Sequence, residues 1–100
     1  MHTNISGLTL DILLALAAGP NHAYGLVDQI RSDVQGADFI AERSVYRAIE
    51  RMLEAGLIEQ VELSPKVTLK RYKLTSFGRR ILVSERARAT RRLDLMKQRL

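Results

Sequence analysis

The chain has 100 residues, which makes one domain with a modest core the expectation. Hydrophobic residues make up 46% of it, too many for a disordered chain, and the lack of cysteine excludes a disulfide framework and thiol chemistry. A net charge of +5 points to an anionic partner, such as nucleic acid or an acidic membrane.

The charge is unevenly placed. Residues 75–100 hold eight basic residues against Glu85 and Asp94, a balance of +6, which leaves −1 for residues 1–74. The first Lys or Arg is Arg31, so the positive start of a signal peptide is missing. The apolar run from Ile12 to Ala18 is too short to span a bilayer. A cytoplasmic protein without a membrane partner is the expectation.

A first helix is predicted from Thr9, a good N-cap, to the stop Gly19-Pro20. It is apolar almost all round, so it should be buried on more than one side. Its second face is expected to meet another subunit or a long helix of this chain, with Ile12 and Leu16 at the contact. A second helix should start after Asn21. Ala23, Leu26, Val27, Ile30 and Val34 form its apolar stripe, and Gly36 terminates it.

The third helix carries Arg43, Arg47 and Arg51, four residues apart. At about 100° per residue the three share one face, and Val45, Ile49, Met52 and Leu53 gather opposite. Like charges at i,i+4 repel by a few tenths of a kcal/mol each, a cost that an anionic partner relieves. The alternative is a solvated face with Glu50 and Glu54 compensating part of the charge. Tyr46 falls near the edge of the core face and fits the core, the partner surface or both. Ser44 lies on the arginine side near the helix start, where a hydroxyl and a free N–H suit a phosphate. Gly56 ends the helix.

The period then changes. Residues 57–63 alternate loosely as a strand, Ser64-Pro65-Lys66 is a turn, and residues 67–74 are a second strand rich in β-branched and aromatic residues. Lys66, Lys70, Arg71 and Lys73 make this hairpin basic. Lys66, Lys70 and Arg71 could reach DNA phosphates beside the groove that the third helix enters. Thr75 caps a last helix running toward Leu100. Its stripe Leu82, Ala89, Leu93, Met96 and Leu100 steps in coiled-coil spacing over the second half, with Arg86 interrupting it. That stripe is the expected dimer seam, while packing on the first helix of the same subunit is the alternative.

Three helices, a two-stranded wing and a long helix make a winged helix-turn-helix with a dimerisation helix. Residues 1–74 would be the DNA-binding part and residues 75–100 the dimerisation helix, in one folded unit. The third helix is then the recognition element for double-stranded DNA. A winged-helix module that binds protein is the competing reading, and a membrane-surface anchor through the basic last helix is a third. An anchor would want bulky aromatics on that helix, and none of the five aromatics lies in the last 23 residues. No enzyme is expected, because no nucleophile, base and orienting acid are jointly recognisable. His2 and His22 lack ligand partners at useful spacing, so neither a metal nor a cofactor is expected.

Three stretches, in order, resemble the PadR family of bacterial transcriptional regulators. Gly19-Pro20-Asn21-His22-Ala23-Tyr24 is similar to its Gly-Pro-x-His-Gly-Tyr. Ser44-Val45-Tyr46-Arg47-Ala48-Ile49-Glu50-Arg51-Met52 with Glu54-Ala55-Gly56-Leu57-Ile58 is similar to its recognition-helix segment. Tyr72-Lys73-Leu74-Thr75-Ser76-Phe77-Gly78 resembles its Tyr-x-Leu-Thr-x-x-Gly. The likeness covers residues 8 to 83. Ala23 and Arg43 stand where the family has Gly, Arg47 where Pro is common, and Ala41 where Ser would cap. Two of the stripe arginines are therefore departures. The resemblance implies a homodimer, a repressor role, Tyr46 supporting the DNA-facing surface and, in some members, a small-molecule effector. Members that trap planar drugs line the dimer seam with aromatics from the last helix. Here Ile12, Leu16, Leu93 and Met96 would line an apolar cavity instead.

Overall fold

The structure is a computed structural model that describes residues 5–33, 40–61 and 69–100. Helix α1 spans Gly7–Ala17, strand β1 Asn21–His22, helix α2 Ala23–Asp33 and helix α3 Glu42–Glu54. Strands β2 (Ile58–Gln60) and β3 (Arg71–Leu74) follow, then helix α4 (Ser76–Arg99). The three strands form an antiparallel sheet in the order β1-β3-β2. Tyr72 on the central strand lies opposite both Asn21 and Gln60.

One core joins these elements. Ile12, Leu13 and Leu16 of α1 meet Leu26, Val27 and Ile30 of α2, Val45, Ile49 and Met52 of α3, Ile58 of β2 and Tyr72 of β3. Burying each large aliphatic side chain contributes about 1.5–3 kcal/mol. Ile12 and Leu16 were expected at the dimer contact. They are 0% and 3% exposed inside their own subunit, so neither offers surface to a second chain. The outward face of α1 is instead Leu10, Leu14 and Ala17. Leu14 is 52% exposed.

Two helix starts differ from expectation. Helix α1 begins a turn before Thr9, because the Ser6 Oγ accepts the Thr9 N–H at 3.2 Å. Asn21 does not cap α2 but pairs in β1, where its side-chain oxygen accepts the His22 N–H. The His22 Nδ1 caps α2 by accepting the Gly25 N–H at 3.1 Å, so the imidazole proton resides on Nε2.

The end of α3 is a Schellman motif. Gly56 has φ +73°, its N–H reaches the Leu53 carbonyl, and the Leu57 N–H reaches that of Met52 at 3.0 Å. This reversal feeds β2. The described strands are shorter than the expected 57–63 and 67–74. The Val61 N–H still bonds the Arg71 carbonyl at 2.8 Å. The expected turn at Ser64-Pro65-Lys66, and Val34 and Gly36 of the second helix, lie outside the described residues.

Thr75 latches α4 to the body. Its hydroxyl oxygen accepts the Gly78 N–H at 3.0 Å, and the hydroxyl proton is directed at the Gly56 and Leu57 carbonyls. The first half of α4 packs on α1 and β3, with Ile81 and Leu82 half-buried against the core. Beyond Arg86 the helix is exposed except for the half-buried Leu95. It sets the molecule's long axis of 55 Å, against 30 and 20 Å in the other directions.

Candidate nucleic-acid interface

Helix α3 is sharply two-sided. Val45, Ala48, Ile49 and Met52 are buried, while Arg43, Ser44, Arg47 and Arg51 are exposed. Among the described residues no hydrogen bond or ion pair engages any of the three arginine side chains. Glu50 and Glu54 lie nearby on the helix without bonding them. The stripe therefore presents three guanidinium groups, none bonded among the described residues, along about two turns.

The start of α3 adds donors. Ala41 precedes the helix with no side-chain cap, as its sequence suggests, so the first-turn N–H groups of Glu42 and Arg43 have no capping oxygen among the described residues. The Ser44 hydroxyl is exposed beside them. This end of the helix can donate to a phosphate oxygen.

Tyr46 is 40% exposed and does not belong to the core. Its ring meets Tyr24 of α2 edge to face, with centroids 6.4 Å apart and planes at 89°. Partial loss of water around the hydroxyl, and the Tyr24 and Glu42 groups beside it, push the Tyr46 pKa up. It therefore stays a neutral hydrogen-bond donor at ordinary pH. Tyr24, 55% exposed, belongs to this surface and was missed from sequence. The signal was present: the stripe Ala23, Leu26, Val27 and Ile30 turns Tyr24 outward.

On the sheet, Lys70 is exposed and has no partner among the described residues. Arg71 is exposed but donates to the Pro20 carbonyl at 3.1 Å, which ties the wing to the α1–α2 connection. Lys73 faces Glu59 across the strands at 3.5 Å and is the compensated member of the set. Lys66 lies outside the described residues.

The expected dimer residues divide. Leu93 and Met96 are 48% and 45% exposed, and Ala89 and Leu100 are also exposed. Leu82 is half-buried on the body. Leu10, Leu14 and Ala17 of α1 and Arg79, Leu82, Val83, Arg86 and Ala89 of α4 line an open apolar groove of about 470 Å³. Because Ile12 and Leu16 are buried and Leu93 and Met96 exposed, the four do not line one cavity within the subunit. Among the described residues no cluster of His, Cys, Asp or Glu could hold a metal ion, and no helix is long and apolar enough to cross a membrane.

The fold recurs in solved structures. A PadR family transcription regulator from Clostridium difficile superposes with a TM-score of 0.79 at 22% identity, covering 93% of this chain and 97% of that one. A transcriptional regulator from Clostridium thermocellum gives 0.74 at 19% identity, over 95% and 97% of the two chains. RosR from h. salinarum gives 0.76 at 16% identity, over 89% and 77%. At these identities the likeness is one of fold. A search of curated protein sequences found no match. The sequence itself carries the kinship: the model of the transcriptional regulator PadR-like family matches residues 12–84, from the buried face of α1 through the arginine stripe and the wing to the first half of α4, and the chain belongs to that family.

Proposed function

We propose that the protein is a sequence-specific DNA-binding regulator, acting as a repressor, that binds an inverted-repeat operator as a homodimer. Helix α3 enters the major groove, and the wing lies on the flanking backbone. The observation that carries this reading is the row Arg43, Arg47 and Arg51, exposed and unpaired among the described residues, on a helix whose other face is core. Tyr46, Ser44, Lys70 and Arg71 extend the same role, with Lys66 added from the sequence. Membership of a regulator family supports it.

Titration of duplex DNA at several salt concentrations tests this. A dimer offers the stripe and wing twice, so on the order of 8 phosphates are neutralised and the log–log slope should be about −7. A flat salt response would favour the competing reading, a winged-helix module that binds protein.

The dimer reading rests on the exposed stripe Ala89, Leu93, Met96 and Leu100 and on the uncovered groove between α1 and α4. Leucine and methionine side chains half in water favour a covering surface. The double variant Leu93→Glu/Met96→Glu is expected to be monomeric and wild type dimeric at micromolar concentration. A wild-type mass of one chain in light scattering would remove the dimer. A small-molecule effector is part of the family's pattern in some members, and the same groove is the apolar recess that could receive one.

A further inference from the structure

We propose that the distal half of α4 is a second, sequence-independent duplex-binding surface, so that a dimer seated on its operator captures another DNA duplex and bridges the two. The proposal rests on the reading of α3 as the operator-binding element.

The charge that makes this chain basic does not reside where α3 reads. Residues 75–100 carry +6 and residues 1–74 carry −1. Beyond Ala87 every position is exposed except Leu95, which is half-buried. The helix runs 24 residues, about 36 Å, and its distal part extends beyond the body.

Helix geometry sorts the distal residues into faces. At about 100° per residue, Ala89, Leu93, Met96 and Leu100 share one stripe, centred roughly 120° from an arc that holds Arg91, Arg92 and Arg99 around Leu95. Covering the apolar stripe with a second copy therefore leaves Arg91 on the outer side, with Arg92 and Arg99 along the rim of the seam, where their long side chains still reach solvent. Of the two acids on this helix, Glu85 is paired with Arg88 at 3.2 Å, and Asp94 bonds none of the three among the described residues. Two copies double the charge that the paired helices carry. Like charges held this close repel, and a polyanion relieves the repulsion. Duplex DNA offers one charge per roughly 1.7 Å of axis, a density that a row of arginines on a rigid helix can match without base contacts. An acidic membrane fits less well, because no aromatic residue follows Phe77 to anchor the helix in an interface.

The test loads the dimer on an immobilised operator duplex at low salt, washes, and measures capture of a labelled random duplex from solution. Loading is scored separately, so failure of operator binding is distinguishable from failure of bridging. Wild type should capture the second duplex. The triple variant Arg91→Gln/Arg92→Gln/Arg99→Gln should load normally and capture about tenfold less, with the salt slope of capture lower by about 5 for six lost contacts per dimer. The triple lysine variant at the same positions keeps the charge and should capture as wild type does. Light scattering on each variant checks that the dimer persists. Wild type that loads but captures nothing overturns the proposal, as does undiminished capture by the glutamine variant, which would assign bridging to the two α3 heads. Capture of poly-glutamate in place of duplex would make the surface a protein-docking one and overturn it equally.

Discussion

Replacing Gly78 with alanine is expected to destabilise the fold by about 3 kcal/mol, although the position is in the first turn of a helix. In an exposed helix interior the same change would gain roughly 1 kcal/mol from propensity. The sign reverses here because a Cβ on Gly78 would overlap the Leu57 carbonyl oxygen and lie 3.0 Å from its carbonyl carbon. Both are backbone atoms. The same carbonyl accepts the Thr75 N–H at 3.2 Å and the Thr75 hydroxyl at 3.1 Å, and the Leu57 N–H is committed to Met52. The chain therefore cannot yield at Leu57 without breaking the Schellman turn or unlatching α4. For a domain this size the loss corresponds to a melting temperature lower by on the order of 15 °C. Gly7→Ala is the control, because among the described residues nothing lies within 4 Å of a Cβ there. Equal melting temperatures for the two variants would show that the contact between α4 and Leu57 is not a constraint on the fold.

The same glycine shows what a sequence conveys. Gly78 reads as the end of a Tyr-x-Leu-Thr-x-x-Gly stretch, and only the packing of α4 across Leu57 explains it. Periodicity was enough for the opposed faces of α3, because four buried apolar residues and three arginines recur at helical spacing. It failed on α1, where nearly every residue is apolar and no stripe marks the inner side. Ile12 and Leu16 were thus assigned outward, whereas Leu10, Leu14 and Ala17 hold that place. Strand β1 has two residues and therefore no pattern to detect. Its partner β3 is 50 residues away in the chain, which also explains why Asn21 read as a helix cap. The Tyr24–Tyr46 contact depends on how α2 crosses α3, which a one-dimensional pattern does not encode.

The resulting surface separates two kinds of positive charge. On α3 the arginines are held by a helix whose opposite face is locked into the core, so their Cα positions are fixed to the precision of the fold. On the wing, Lys70 sits at a strand entrance, and Arg71 is tethered to Pro20. Rigid placement suits the reading of base edges, whereas a long side chain at a strand end suits a phosphate, which looks the same at every step.

That difference yields the second large expected effect. Arg47 is central on the stripe, exposed and unpaired among the described residues. Arg47→Ala should weaken the preferred site by about 1–3 kcal/mol per subunit if the guanidinium pairs a guanine edge, and should weaken random DNA much less. Lys70→Ala should weaken every sequence about equally and lower the salt slope by about 1 per lost contact. Both proteins should fold as wild type does, because neither side chain is buried or bonded among the described residues. A two-fold dimer would place its recognition helices about 34 Å apart, so the site selected from a random pool should be an inverted repeat with centres ~10 base pairs apart. Titrating each variant against that site and a scrambled duplex decides the matter. Equal losses of Arg47→Ala on the two duplexes would show that α3 grips the backbone without reading bases, and specificity would then have to come from the wing or from the shape of the DNA.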